Sequence, residues 1–153
     1  MSNFRGVFIV RQRITTVAAA QTLIQIKAGA TTPLELLRAT FTVETTTSDE
    51  LVAQILRKSA AATVTAFTPL KYNEDSPLAD AIGGAALTGV DATVEGTDGD
   101  ILWEEGFNSL NGFVWVPTLE ERMRVQAAGF IALKSALAIT SATVNCAMVF
   151  GEV

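Results

Sequence analysis

The feature that most constrains this chain is a series of short runs in which apolar and polar residues alternate, each closed by turn-forming residues. A period of two places neighbouring side chains on opposite faces of a strand, so the pattern predicts antiparallel sheet buried on one face. The clearest run is Leu37, Ala39, Phe41 and Val43, interleaved with Arg38, Thr40, Thr42 and Glu44, and ended by Thr45-Thr46-Thr47-Ser48-Asp49. Ile131, Leu133, Leu137 and Ile139 share an apolar face, with Ser135 as the exception. Val144, Cys146, Met148 and Phe150 repeat the pattern after a turn around Thr140 to Ala142, and the two runs predict a C-terminal hairpin. Shorter strand candidates are Val7 to Arg13, Thr22 to Lys27, Val64 to Phe67, Ala92 to Glu95, Ile101 to Trp103, Phe113 to Val116 and Arg122 to Gln126. Leu51 to Lys58 fits helical or strand spacing and is read as strand.

Eight or more strands in 153 residues predict one all-β domain spanning 1–153, an antiparallel β-sandwich of the jelly-roll kind. Composition agrees: 23 Ala and 19 Thr stand beside few of the Glu, Lys and Arg that would make an Ala-rich chain helical. Apolar residues reach 49% and charged ones 18%, the reverse of a disordered chain. The stretch from about 69 to 112 is the least regular, with Pro69, Pro77, Gly83-Gly84, Gly89, Gly96, Gly99, Gly106 and Gly112. It reads as long loops projecting from the sandwich, where binding is usually found.

The chain has no histidine and only one cysteine, Cys146. That excludes a Ser-His-Asp triad, a Cys-His pair, His-ligated metals, a thiolate zinc site and an intrachain disulfide. Cys146, on an apolar-faced strand, is read as core. Glu95-Gly96-Thr97-Asp98-Gly99-Asp100 gathers carboxylates around glycines but lacks the terminal Glu of an EF-hand, and Asp98-Gly99 predicts a two-residue hairpin turn instead. Glu104-Glu105 and Glu120-Glu121 would suggest a glycosidase only if one acid from each pair met across a bond, since strand neighbours point apart. Lys71 with Asn73 and Glu74 lies in a Pro-flanked loop, a poor setting for an amide crosslink, and Gly83-Gly84 lacks the Lys-Ser or Lys-Thr of a phosphate loop. Neither a catalytic residue, a metal ligand nor a cofactor is expected.

Net charge is −5, which disfavours binding to nucleic acid by phosphate neutralisation. The charge is polarised: residues 1–58 hold seven basic and four acidic groups, residues 59–153 four basic and twelve acidic. Such asymmetry can steer identical subunits head to tail. Arg11, Arg13, Arg57 and Lys58 could form a basic patch, without the interleaved aromatics that single-strand binding wants. No run approaches the roughly 20 apolar residues of a membrane span. Arg11 and Arg13 cut short the apolar run after Arg5, so no standard export signal is expected and folding in the cytoplasm is. Trp103, Phe107, Phe113 and Trp115 fall within 13 positions. They are read mainly as core, with Trp103 and Trp115 as candidates for a sugar platform or an interface anchor.

One long stretch resembles a known group. It runs through Glu95-Gly96-Thr97-Asp98-Gly99-Asp100-Ile101-Leu102, Glu105-Gly106-Phe107-Asn108, Leu110-Asn111-Gly112, Trp115-Val116-Pro117, Glu120-Glu121-Arg122, Gly129-Phe130-Ile131-Ala132-Leu133-Lys134 and Gly151-Glu152-Val153. Upstream, Ile55-Leu56-Arg57-Lys58 and Ala60-Ala61-Ala62-Thr63-Val64-Thr65 extend it. This is similar to small Ala/Thr-rich proteins of tailed-bacteriophage structural modules. The resemblance implies a non-enzymatic virion protein, assembled in the host cytoplasm, that decorates the capsid and cements neighbouring capsomers. Its expected partners are the major capsid protein and further copies of itself, a trimer being favoured, with neither nucleic acid nor membrane. The basic N-terminal third, Arg5, Arg11 and Arg13, is the expected contact with an acidic capsid or neighbouring subunit, with Trp103 and Trp115 as further contact candidates. A tail or fibre part, a carbohydrate-binding module using a Trp, and a hydrolase with a Glu pair are the alternatives.

Overall fold

A computed structural model describes residues 4–15, 17, 19–140 and 142–153. They form twelve strands and no helix: β1 Gly6–Ile14, β2 Gln21–Lys27, β3 Leu34–Glu44, β4 Glu50–Ala60, β5 Thr63–Ala66, β6 Leu70–Lys71, β7 Gly89–Val94, β8 Thr97–Asn108, β9 Phe113–Trp115, β10 Arg124–Val125, β11 Phe130–Ser135 and β12 Thr143–Glu152. Two antiparallel sheets result, as the alternating pattern predicts. The first runs β10–β3–β12–β1–β6, with β9 also on β3; the second runs β5–β7–β2–β11–β4–β8. Leu51 to Lys58 is strand throughout.

The sheets pack their apolar faces together. Phe8, Val10, Leu36, Phe41, Met148 and Phe150 of the first meet Ile24, Ile26, Ile55, Ile131 and Leu133 of the second, all fully buried. Phe41 and Phe113 of the first sheet close on Phe107 of β8, with ring centroids 5.0 and 6.1 Å apart, which seats β9 over the β8 end. At the other end β1 lies against β2 and β7. The sandwich therefore has two opposite flanks: β8 with β9 and β10 on one, β1 with β6 on the other.

Three local expectations are corrected. The two C-terminal runs are not a hairpin: β11 joins β2 and β4 in the second sheet, while β12 joins β1 and β3 in the first. The turn expected between them includes Ser141, which lies outside the described residues. Asp98-Gly99 makes no turn but lies inside β8, and the positive φ falls at Gly96 (67°). In β3 a register shift opposite Val149/Phe150 puts Leu36, not Leu37, in the core. A bulge changes which side chain faces inward without changing the composition of the run.

The stretch 69–112 divides in two. Residues 72–88 are loop apart from an isolated Gly83–Thr88 bridge, whereas 89–108 are almost wholly strand. Here β4–β5 and β7–β8 act as two long strands in one antiparallel ribbon, paired from Glu50↔Asn108 to Ala60↔Thr97 and on from Thr63↔Val94 to Ala66↔Gly89. The ribbon is bordered by β11 at its β4 end and by β2 at its β7 end, and β2 pairs with β11. It must therefore bend back over those two strands. Three register shifts, at Ile55/Leu56, Leu56/Lys58 and Lys58/Ala60, supply the bend. The cover explains why Thr22 to Ile26 and Ile131 to Leu133 are buried on both faces. Gln25 fixes the fold-over: its side chain accepts from Ala62 N at 2.8 Å and donates to the Leu87 carbonyl at 2.7 Å.

Candidate interaction surfaces

Two charge clusters are absorbed by the fold. Under the ribbon bend, Lys58 Nζ is wholly buried and lies 2.7 Å from Asp98 Oδ1, 2.7 Å from the Glu95 carbonyl and 3.6 Å from Glu95 Oε2. Lys134 Nζ reaches Asp98 Oδ2 at 2.5 Å, and Thr22 donates its N–H and hydroxyl to Glu95. Lys58↔Asp98 is a cross-strand pair, so the ladder itself places the two opposite charges together. Burial opposes charge on Asp98, but hydrogen bonds from Lys134 and Lys58 outweigh it and hold its carboxyl below the ordinary range. Burial likewise opposes charge on Lys134, yet Asp98 and Glu95 raise its ammonium above the usual value.

The second cluster ties the 72–82 loop to the first sheet. Glu152 is fully buried and accepts the backbone N–H groups of Asp80 and Ala81 at 2.7 and 2.9 Å. Arg5 lies 3.1 Å from Glu152 and 2.6 Å from Asp80. Burial raises the Glu152 carboxyl, with the Ala81 and Asp80 amides pulling the other way. Hydrogen bonds from Thr32 and Arg5 lower Asp80, and the bond to Asp80 leads the raising of Arg5. The structure thus engages Arg5 inside the molecule.

The remaining candidates separate onto the two flanks. Trp103 and Trp115 come together. They line a groove of about 670 Å3 between the edges of the two sheets, with Arg57, Arg122, Arg124 and Glu121. Trp115 is nearly buried while Trp103 is 43% exposed, its Nε1 donating to Glu105 at 3.2 Å. Glu105 and Glu121, one acid from each pair, both line this groove. Around it Ile101, Val114, Val116 and Leu119 are exposed. Arg122 is 3.7 Å from Glu35, whereas Arg57 and Arg124 make no ion pair.

Arg11 and Arg13 lie on the opposite flank, beside Phe67 and Leu70. Arg13 is bound by Glu44 at 2.8 Å, and Arg11 is exposed without an ion pair. Lys71 and the exposed Leu70 sit on β6 alongside. The expected patch of Arg11, Arg13, Arg57 and Lys58 does not form, because Lys58 is internal and Arg57 belongs to the other flank.

Cys146 is buried and its thiol is pushed up to about 12, chiefly by burial, as a core cysteine should be. Among the described residues no cluster of His, Cys, Asp and Glu could hold a metal, and no helix is long and apolar enough to cross a membrane. Sequence reasoning missed Arg57, Arg122, Arg124 and Met123 as groove residues. The Val114-Trp115-Val116 alternation was the available signal, since a strand with Trp inward must turn both valines outward. No protein-family model, curated protein or solved structure matches the chain.

Proposed function

We propose that this is a non-enzymatic structural protein of a tailed-phage virion, a decoration protein that binds the outer capsid surface and stabilises it by bridging capsomers. The supporting observation is the division of its charged groups. Lys58, Lys134, Glu95, Asp98, Arg5, Asp80 and Glu152 are paired in the fold, whereas Arg57 and Arg124 with exposed Trp103, Val114 and Val116 lie on one flank and Arg11 with exposed Leu70 on the opposite one. A bridge needs two separated contact surfaces on a body that holds its shape. In this reading the partners are the major capsid protein and further copies of the chain, with a trimer favoured. It is made in the host cytoplasm, works on the capsid surface, and uses neither nucleic acid, membrane nor cofactor. The jelly-roll form of the sandwich belongs to the same reading, supported by the repeated passage of the chain between sheets from β1 through β4.

The test is the copy number in purified virions relative to the major capsid protein. A ratio near one, or a simple fraction set by capsid symmetry, is expected. A few copies per particle would assign it to tail or fibre, and absence would overturn the reading. A carbohydrate-binding module is the second reading, favoured by the half-exposed Trp103 beside Arg57 and Glu121 in one groove. Glycan binding lost on Trp103→Ala would establish it.

A further inference from the structure

We infer that the β8 flank of one copy docks onto the β1–β6 flank of a second copy, head to tail. Among the described residues the twelve-residue β8 pairs only with β4, so its other edge is a row of backbone groups without a strand partner there. Long exposed edges are templates for further pairing, and proteins blunt them with Pro, Lys or cover. From Asp100 to Glu105 this edge has neither Pro nor Lys; the acids Asp100, Glu104 and Glu105 oppose pairing with a like edge and flank Ile101 and Trp103, both about half exposed. Across the sandwich, β1 is bordered by β6 only at Phe8 and Ile9, which leaves its edge beyond Ile9 without a strand partner among the described residues.

Charge decides which edge meets which. On the β8 flank Asp100, Glu104, Glu105, Glu120 and Glu121 outnumber the unpaired Arg57 and Arg124. Among the described residues none of the five acids is in an ion pair. On the β1 flank Arg11 and Lys71 are exposed and unpaired, with Arg13 held by Glu44. Glu74 and Asp75 lie at the far end of that flank beside Arg5. Two β8 edges related by a two-fold axis would set acids against acids, and two β1 edges bases against bases. Only the crossed pairing brings opposite charges together, with Trp103 and Ile101 facing Leu70 and Phe67. Such a contact is heterologous, so it builds closed rings or chains and never a sealed two-fold dimer. This goes beyond capsid decoration, because it concerns how copies meet each other.

The test uses purified protein in low-salt buffer and native mass measurement, independent of any virion. Wild type is expected to be an oligomer. Asp100→Lys with Glu104→Lys should be monomeric, as should Arg11→Glu with Lys71→Glu, each weakening association at least tenfold. Mixed together, the two variants should regain the wild-type mass, because the two native flanks still match and the two reversed flanks are now opposite in charge to each other. A monomeric wild type, retention of the wild-type mass by either variant alone, or a mixture that stays monomeric would each overturn the proposal. Melting temperatures within a few degrees of wild type serve as the folding control. If a reversal unfolds, Asp100→Asn with Glu104→Gln and Arg11→Gln with Lys71→Gln replace the pair; each should be monomeric alone and the mixture should stop at a 1:1 dimer, since only the two native flanks then attract.

Discussion

A carboxylate shut away from water is tolerated where donors replace its hydration, and Glu152 has two backbone amides and a guanidinium. Glu152→Ala strands those amides and frees the 72–82 loop, so it should cost about 3 kcal/mol, a fall in Tm on the order of 10 °C by calorimetry. The acids of the two clusters act oppositely with pH. Glu152 is raised above 4.5, so the stability from its protonated form is present below that value and lost as pH rises through the folded one. Asp98 is depressed below 3.8, so its contribution is present above 3.8 and lost as pH falls through its folded value. Asp98→Asn should lower stability at neutral pH and flatten the loss on acidification below about pH 4, as read from denaturant midpoints across pH. At this scale burial was legible for Cys146, which lies between Val144 and Met148 at strand spacing, and for Phe107 and Phe113 by their size and apolar character. Lys58 was not. A lysine beside Arg57 reads as solvated, and nothing local announces that residues forty positions on will cover it with Asp98.

The ribbon is the element that most shapes the molecule, and between β7 and β8 it passes through one tight backbone position. At Gly96, φ is 67° and a Cβ would stand 2.3 Å from the Ala61 carbonyl oxygen and 2.5 Å from that of Ala60. Gly96→Ala should therefore cost about 2 kcal/mol or more, from both the left-handed backbone and the clash. Gly106→Ala in the same β8 is the contrast. Its nearest neighbour would be the Leu51 carbonyl oxygen at 3.8 Å, so stability should change by no more than about 0.5 kcal/mol. Urea midpoints for the two variants check both statements. Strand positions were largely legible: Leu37 to Glu44 and Val144 to Phe150 alternate, and Phe113 to Val116 is an apolar run bounded by Gly112 and Pro117. Which strands pair was not. Alternation says that a strand has a buried face but not whose, and the bulges at Ile55 to Ala60 erase the period where β4 begins to bend.

For the whole molecule, the inferred contact between the acidic β8 edge and Arg11 with Lys71 should depend on ionic strength. Wild-type oligomers held by the acidic β8 flank and by Arg11 and Lys71 should loosen on raising salt from about 0.05 M to 0.5 M, since screening shortens the reach of exposed charges. Sedimentation velocity reads this directly. Association should also lower iodide quenching of Trp103, leaving the nearly buried Trp115 unchanged; Trp103→Phe isolates the two signals. The polarised charge was visible in the sequence, with an excess of bases before residue 59 and of acids after it. Its meaning was not, because the fold pairs Arg5 and Lys134 with its own acids and buries Lys58, which leaves a different set of charges unpaired on view.

The pairing of β1 with β12, from Gly6↔Glu152 to Ile14↔Val144, has a mechanical consequence. Gly6 and Glu152 are partners at the same end of that ladder. A pull applied between them would peel the pair open one rung after another, at low force. A pull running along the strands would have to shear many rungs at once, and would meet much higher resistance. The protein should thus be tough under loads along its strands and yield readily, like an opening zip, when tugged apart at these two residues.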